Sequence, residues 1–272
     1  MYFRSESTKA IFILLRKSAP YSRLAPSGRV LRTIKLNSIK IVQKRTVPFC
    51  IFAADMDKLV IFDLDGTLLN TIADLGNAVN HTLAELGLPQ HNLDEYRLMV
   101  GNGMRKLVMR ALPDELASDD VFVDSTLAQF LLYYADHIDV YTQPYPGIPE
   151  LISSLFNDGY KLAVASNKIQ AGAEKLISKF FPDIDFVAVM GNSPDYPLKP
   201  DAALVEYIMS KACTDRAHTI MVGDSGTDIQ TARNAGIPII AVSWGFRPRH
   251  ELTDAEYIVD TARQLHHTIE SD

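Results

Sequence analysis

From residue 58 onward the chain alternates short apolar runs with stretches whose apolar positions recur every three or four residues. The runs are KLVIF (58–62), YKLAVAS (160–166), IDFVAVM (184–190), HTIMVG (218–223) and IPIIAVSW (237–244), all rich in Val and Ile. Strands buried on both faces read this way, and they belong to parallel sheets. PGIPELISSLFNDG, QAGAEKLISKFF, KPDAALVEYIMSKA and TDIQTARNAG lie between the later runs and have helical character. The alternation predicts an α/β fold, a Rossmann-like parallel sheet core with helices on both faces and right-handed crossovers. Ligands of such sheets gather beyond the carboxyl ends of the strands.

One interval breaks the alternation. Between the first run and Pro146 there is no strand pattern, but Ile72, Leu75, Val79, Leu83 and Leu86 keep helical spacing until Gly87 and Pro89 stop it. Val123, Leu127, Phe130, Leu131, Tyr134 and Ile138 repeat the pattern. The interval is too long for a crossover, so it predicts an inserted all-helical cap able to close over the strand ends. The expected division is a core of residues 56–72 and 147–272, a cap of 73–146, and an N-terminal extension of 1–55.

Charge sets that extension apart. Residues 1–54 hold 11 Lys and Arg against the single acid Glu6, whereas the remainder is strongly acidic within a chain of net charge −6. An Arg-rich, Ser-containing, nearly acid-free head fits an organellar transit peptide, and it fits a nucleic-acid or lipid-binding arm less well. Met56, just ahead of KLVIF, would also make a natural start, leaving the head outside the folded protein and poorly ordered. The acidic body argues against nucleic acid as a partner, and no apolar run approaches the roughly 18 residues of a membrane span. Cys50 and Cys213 make no framework, which suggests a reducing compartment. The expected location is cytoplasmic, or organellar if the head is a transit peptide.

Chemistry collects at the ends of the strands. The first run delivers Asp63 and Asp65, the second Ser166 and Asn167, and the fourth Asp224 and then Asp228, while Lys199 precedes the helix leading to that fourth run. Like charges side by side at a buried strand end must be compensated. A lysine and a hard divalent cation would do so, and oxygen ligands with few His or Cys suit Mg²⁺. A single strand-end Asp is ordinarily a helix cap; four such stations together are not.

DLDGT, Ser166, Lys199 and GDSGTD resemble the four motifs of the haloacid dehalogenase superfamily over nearly all of residues 57–272. The resemblance implies that Asp63 is a nucleophile forming an aspartyl-phosphate, and that Asp65 protonates the leaving oxygen and then activates water. It implies that Mg²⁺ is held by Asp63, the backbone carbonyl of Asp65, and Asp224, with Asp228 in support. Thr67, Ser166, Asn167 and Lys199 are expected to hold the phosphoryl group of a small phosphate ester. DLDGTLLNTIADLGNAVNHTLAELGLP and VGNGMRKLVMRAL look like the phosphoglycolate phosphatase branch, although Asn70 and KPDAA depart from its usual Asp and KPDP. A β-phosphoglucomutase-type phosphomutase and a pyrophosphate or nucleotide hydrolase are the alternatives within the superfamily. A non-catalytic binding protein is disfavoured, because Asp63 and Asp65 are both kept.

In the cap, Gly101, Asn102 and Gly103 read either as a turn or as a loop over the substrate, with Arg105 or Lys106 meeting a carboxylate. Arg247 and Arg249 read as residues of a solvated loop, and Trp244 as core.

Overall fold

The structure, a computed structural model, describes residues 57–271, so the basic extension lies outside it. The elements are β1 (Leu59–Phe62), β2 (Leu69–Asn70), α1 (Ile72–Glu85), α2 (Leu93–Met99), α3 (Met104–Ala111), α4 (Asp114–Ala117), α5 (Asp120–His137) and β3 (Gln143–Pro144), followed by α6 (Ile148–Asn157), β4 (Lys161–Ile169), α7 (Gln170–Phe180), β5 (Ala188–Asn192) and α8 (Ala203–Ala212). The chain ends with β6 (Thr219–Gly223), α9 (Gly226–Ala235), β7 (Ile239–Val242), β8 (Tyr257–Val259) and α10 (Ala262–Ser271).

Six strands form one sheet in the order β5-β4-β1-β6-β7-β8, and every pairing is parallel. The strand order reverses at β1, which lies between β4 and β6, and such a switch point opens a crevice at the carboxyl ends. The apolar residues of β1 divide by alternation. Val60 and Phe62 join the cluster containing Leu151, Ile152, Leu176 and Leu265 of α6, α7 and α10. Leu59 and Ile61 face Leu204, Val205, Ile208 and Ile229 of α8 and α9. Both faces of the sheet are therefore covered, as the continuous apolar runs require.

The structure adds to the sequence expectation at three places. The third run begins later than its pattern suggested, with β5 at Ala188, and Tyr257–Val259 adds a sixth strand against β7. The insertion is not free of strands either: β2 and β3 pair antiparallel, Leu69 opposite Pro144 and Asn70 opposite Gln143, where the chain enters and leaves the helices.

Helices α1 to α5 pack through Leu75, Val79, Leu83, Tyr96, Leu107, Val123 and Phe130, all buried. Their ends have local causes. Asn92 caps α2 in a reciprocal box with Glu95, and the Asp119 side chain accepts from the Val121 and Phe122 amides at the start of α5. Asp74, buried in the first turn of α1, accepts hydrogen bonds from the Tyr141 N–H at 2.9 Å, the Thr142 N–H at 2.8 Å and the Thr142 hydroxyl at 2.7 Å. One carboxylate thereby ties the exit of the insertion to its entry. Among the described residues no helix is long and apolar enough to cross a membrane.

Loss of the Asp74 carboxylate strands buried donors, each costing about 1–3 kcal/mol. Asp74→Ala is expected to lower the unfolding free energy by about 3 kcal/mol in urea titrations. A loss below about 1 kcal/mol would show that the return of the chain does not depend on this carboxylate.

Candidate active site

Asp63 extends β1 by one residue, its N–H bonded to the Val222 carbonyl at 2.9 Å. The chain then turns tightly: the Leu68 and Leu69 amides return to the Leu64 carbonyl, and Gly66 takes φ +93°. Only glycine fits there. A Cβ at Gly66 would stand 2.3 Å from an Asp224 carboxylate oxygen, and one at Gly245 would do the same. The turn is pinned from the far side by Trp244, whose indole N–H donates to the Thr67 carbonyl at 3.1 Å. Trp244 is thus half-buried and holds the loop, more than the plain core residue its apolar context suggested.

The turn and β6 bring three buried carboxylates together: oxygens of Asp63, Asp224 and Asp228 lie within 4.8 Å of one another. Lys199 lies among them. Its Nζ is 2.9 Å from Asp63 Oδ1 and 2.6 Å from Asp228 Oδ1. Asp228 is saturated, because its other oxygen accepts from the Ser225 N–H and hydroxyl in a capping box that starts α9. Asp224 accepts from the Phe246 N–H at 2.7 Å and weakly, at 3.5 Å, from the Thr67 hydroxyl.

One ammonium among three carboxylates leaves the cluster negative. Burial pushes the Asp63 carboxyl up to about 7, and the charges of Asp228 and Asp65 add to the rise against the pull of Lys199. Burial, Asp228 and Asp63 likewise hold Asp224 well above the usual carboxylate range. Burial opposes the charge on Lys199, but Asp228 and Asp63 outweigh it and keep its ammonium above the ordinary lysine range. Crowded, buried oxygen donors with excess negative charge fit a hard divalent cation.

Asp65 stands apart from this cluster, half-buried, with its carboxylate 2.9 Å from Lys168 Nζ. Ser166 is buried, and its Oγ accepts from the Lys168 N–H at 3.2 Å, leaving the hydroxyl proton free to donate. The Asn167 amide is already engaged: Oδ1 accepts from the Lys199 N–H at 2.8 Å and Nδ2 donates to the Lys199 carbonyl at 3.1 Å. Asn167, expected at the phosphoryl group, lines the cleft and also fixes the backbone that carries Lys199.

These groups floor a cleft of about 40 Å³ whose other walls are Val100, Gly101, Gly103 and Met104 of the insertion and Phe246 and Arg247 of the core. Gly101 and Gly103 take φ +113° and +86°, which explains both glycines in GNGM. The loop is bonded to the core: Asn102 Nδ2 donates to the Thr227 hydroxyl at 3.1 Å, and Arg247 donates to the carbonyls of Leu98 at 3.0 Å and Val100 at 2.6 Å. The basic residues expected to face substrate from this loop do not. Arg105 pairs with Asp120 at 2.6 Å and Asp124 at 2.8 Å on the outer side of α3, and Lys106 is exposed and outside the cleft. The cation on the cleft wall is instead Arg247, which the sequence pattern had placed in a solvated loop. Arg249 does keep to the surface, paired with Asp260.

Two residues escaped the sequence reading. Lys168 was visible only as a lysine closing an apolar strand, and Tyr134 only as one apolar position of a helix.

The profile of the haloacid dehalogenase-like hydrolases matches residues 60–242. The phosphoglycolate phosphatase of Mesorhizobium japonicum is 38% identical over 193 residues, which is 71% of this chain and 85% of that protein. That of Pseudomonas syringae pv. syringae is 35% identical over 221 residues, 79% and 80% of the two chains. A solved chain from Lactobacillus delbrueckii subsp. bulgaricus superposes with a TM-score of 0.74 at 33% identity, covering 79% of this chain and 99% of its own. CbbY from Rhodobacter sphaeroides, crystallised with xylulose-(1,5)bisphosphate, shares the fold over 77% of this chain and 96% of its own, at TM-score 0.65 and 22% identity. The match spans most of the chain and carries the clustered carboxylates and Lys199 within it: this protein belongs to the haloacid dehalogenase-like hydrolase family and is a phosphatase-type enzyme similar to the phosphoglycolate phosphatases.

Proposed function

We propose that the enzyme hydrolyses a small phosphate monoester, 2-phosphoglycolate being the first candidate, through an aspartyl-phosphate on Asp63. The observation that carries this reading is the placement of two unlike carboxylates on one cleft. Asp63 lies at its floor, locked to Lys199, and Asp65 lies two residues on, outside the carboxylate cluster. An Asp63 oxygen attacks phosphorus as the bond to the leaving oxygen breaks, and Asp65 in its acid form gives that oxygen a proton. Asp65 as the base then takes a proton from water, whose oxygen displaces the Asp63 carboxylate from phosphorus. Lys199 neutralises the approach of one anion to another, and the Ser166 and Thr67 hydroxyls are the donors for the phosphoryl oxygens. Mg²⁺ would be held by Asp63, the Asp65 carbonyl and Asp224, with Asp228 in support, and when bound it supplies charge neutralisation of the phosphoryl group.

The preference for a small acid rests on the cleft. Val100 and Met104 of the insertion and Phe246 and Arg247 of the core bound the space left beside the phosphoryl site. Arg247 on its wall, and Arg110 beside it, donate only to carbonyl and amide oxygens; among the described residues neither is paired with a carboxylate. Burial and the charge of Arg247 hold the Arg110 guanidinium below its ordinary range. Two facing cations without an anion favour a substrate that brings a carboxylate as well as a phosphate.

Arg247→Gln keeps a donor for the loop carbonyls and removes the charge. A hydrogen bond to a charged group contributes about 1.5–3 kcal/mol, so KM for 2-phosphoglycolate is expected to rise roughly ten- to hundredfold, with little change for 4-nitrophenyl phosphate. Arg105→Ala is expected to change neither. Equal losses on both substrates for Arg247→Gln would overturn the carboxylate reading, and conversion of sugar phosphates to isomers without phosphate release would favour a phosphomutase.

Asp63→Asn is expected to abolish turnover while the fold persists; multiple turnovers near the wild-type rate would end the aspartyl-phosphate mechanism. The same variant tests the crowding. With its carboxyl raised to about 7, folded Asp63 binds a proton that the unfolded chain has already released, so wild-type protein loses stability as pH rises from about 4 to 7. In EDTA, Asp63→Asn should therefore be the more stable protein at pH 8, and its advantage in Tm should shrink as pH falls toward 5. An advantage that grew on acidification would contradict the assignment.

A further inference from the structure

Lys168 has no part in the steps above, yet lysines are almost never fully buried unless something holds them. This one is 1% exposed at the end of β4. Its Nζ donates to Asp65 Oδ1 at 2.9 Å and Oδ2 at 3.3 Å, and to the Tyr134 hydroxyl oxygen at 2.6 Å. The same ammonium lies 4.9 Å from the centre of the Tyr134 ring, beyond its hydroxyl end, so the contact is the hydrogen bond to the phenol oxygen. Tyr134 is itself fixed: it is 1% exposed in α5 and its ring stacks on Phe130 at 5.3 Å. A glycine in the first turn of α7 completes the arrangement. A Cβ at Gly172 would lie 2.8 Å from Ile138 Cδ1 and 3.6 Å from Lys168 Cε, so the lysine stem and the insertion meet where this helix carries no side chain.

A continuous line of contact thus runs from a helix of the insertion to the second carboxylate of the core. We propose that Tyr134 and Lys168 are positioning residues for Asp65: the seated helix α5 holds the lysine, the lysine holds the carboxylate, and Asp65 is aimed at the leaving oxygen only while the cap is closed. The proposal rests on the acid–base role given to Asp65. It adds that this role depends on a phenol contributed by the cap, which makes protonation of the leaving group conditional on closure.

Leaving groups of different acidity test it, since a good leaving group departs without a proton and a poor one does not. The quantity to follow is kcat/KM, which covers steps only up to departure of the first product. It would be measured for 4-nitrophenyl phosphate, phenyl phosphate and 2-phosphoglycolate with wild-type protein, Tyr134→Phe, Lys168→Met, the double variant and Asp65→Asn. Tyr134→Phe keeps the ring and removes one oxygen, so it tests the idea even if Lys168→Met folds poorly. Expected are a loss of about tenfold or more on 2-phosphoglycolate, an intermediate loss on phenyl phosphate, and less than threefold on 4-nitrophenyl phosphate. Because Tyr134 acts through Lys168, Tyr134→Phe should add nothing to Lys168→Met. Equal losses on all three esters, no loss, or additive losses in the double variant would overturn the proposal. Asp65→Asn separates the two levels. If it shows the leaving-group dependence and the other variants do not, only the latch fails. If it shows none, the acid–base reading of Asp65 fails with it.

Discussion

The ammonium of Lys199, shared between Asp63 and Asp228, is the interaction on which the rest of the site depends. It is the single cation within reach of three buried carboxylates among the described residues, and it is not sufficient for them. The surroundings are therefore built to supply what it lacks. The Phe246 amide serves Asp224, the Ser225 amide and hydroxyl serve Asp228, and Asn167 grips the lysine backbone from both sides. The charge that remains uncompensated falls on Asp63 and Asp224, the two side chains assigned to the nucleophile and the cation. A fully neutralised pocket would be more stable and would offer neither a nucleophile nor a reason to bind metal.

The scaffold explains why this concentration of charge is tolerated at one place. Strand order reverses at β1, so the ends of β1, β4 and β6 meet at a crevice that no crossover helix fills. Backbone without side chains then lets the acids approach closely: Gly66 and Gly245 lie against Asp224, and Gly223 against Asp228. The helical insertion leaves through β2 and returns through β3 next to the same crevice, with Asp74 tying its two ends. Its loop 98–103 closes the cleft through carbonyl oxygens held by Arg247.

Much of this was legible in the sequence, and what was not has a physical reason. Parallel strands announce themselves by apolar runs, and Asp63, Asp65, Ser166, Lys199, Asp224 and Asp228 stand directly beyond them or before the next helix. Short edge elements carry no such signal. β8 is three residues with Tyr257 44% exposed, and β2 and β3 are two residues each. Side-chain direction across elements was the other blind spot. Arg105 and Arg247 are indistinguishable as basic residues in or near loops, and only packing shows that the acids of α5 claim the first, while the loop carbonyls draw the second to the cleft. Lys168 is similar: its partner Asp65 is 103 residues away in the chain, and its partner Tyr134 belongs to a different part of the fold.

The central claim is that a divalent cation completes an under-compensated carboxylate cluster. The most direct measurement is the heat of Mg²⁺ binding to EDTA-stripped protein, taken near pH 6.5 in buffers of different ionisation enthalpy. Asp63 with a carboxyl near 7 is partly protonated there and must lose its proton to serve as a ligand. The account predicts tight binding with net proton release near pH 6.5, a release that falls as pH rises, and loss of both in Asp224→Asn. Weak binding without proton release, unchanged by Asp224→Asn, would contradict it.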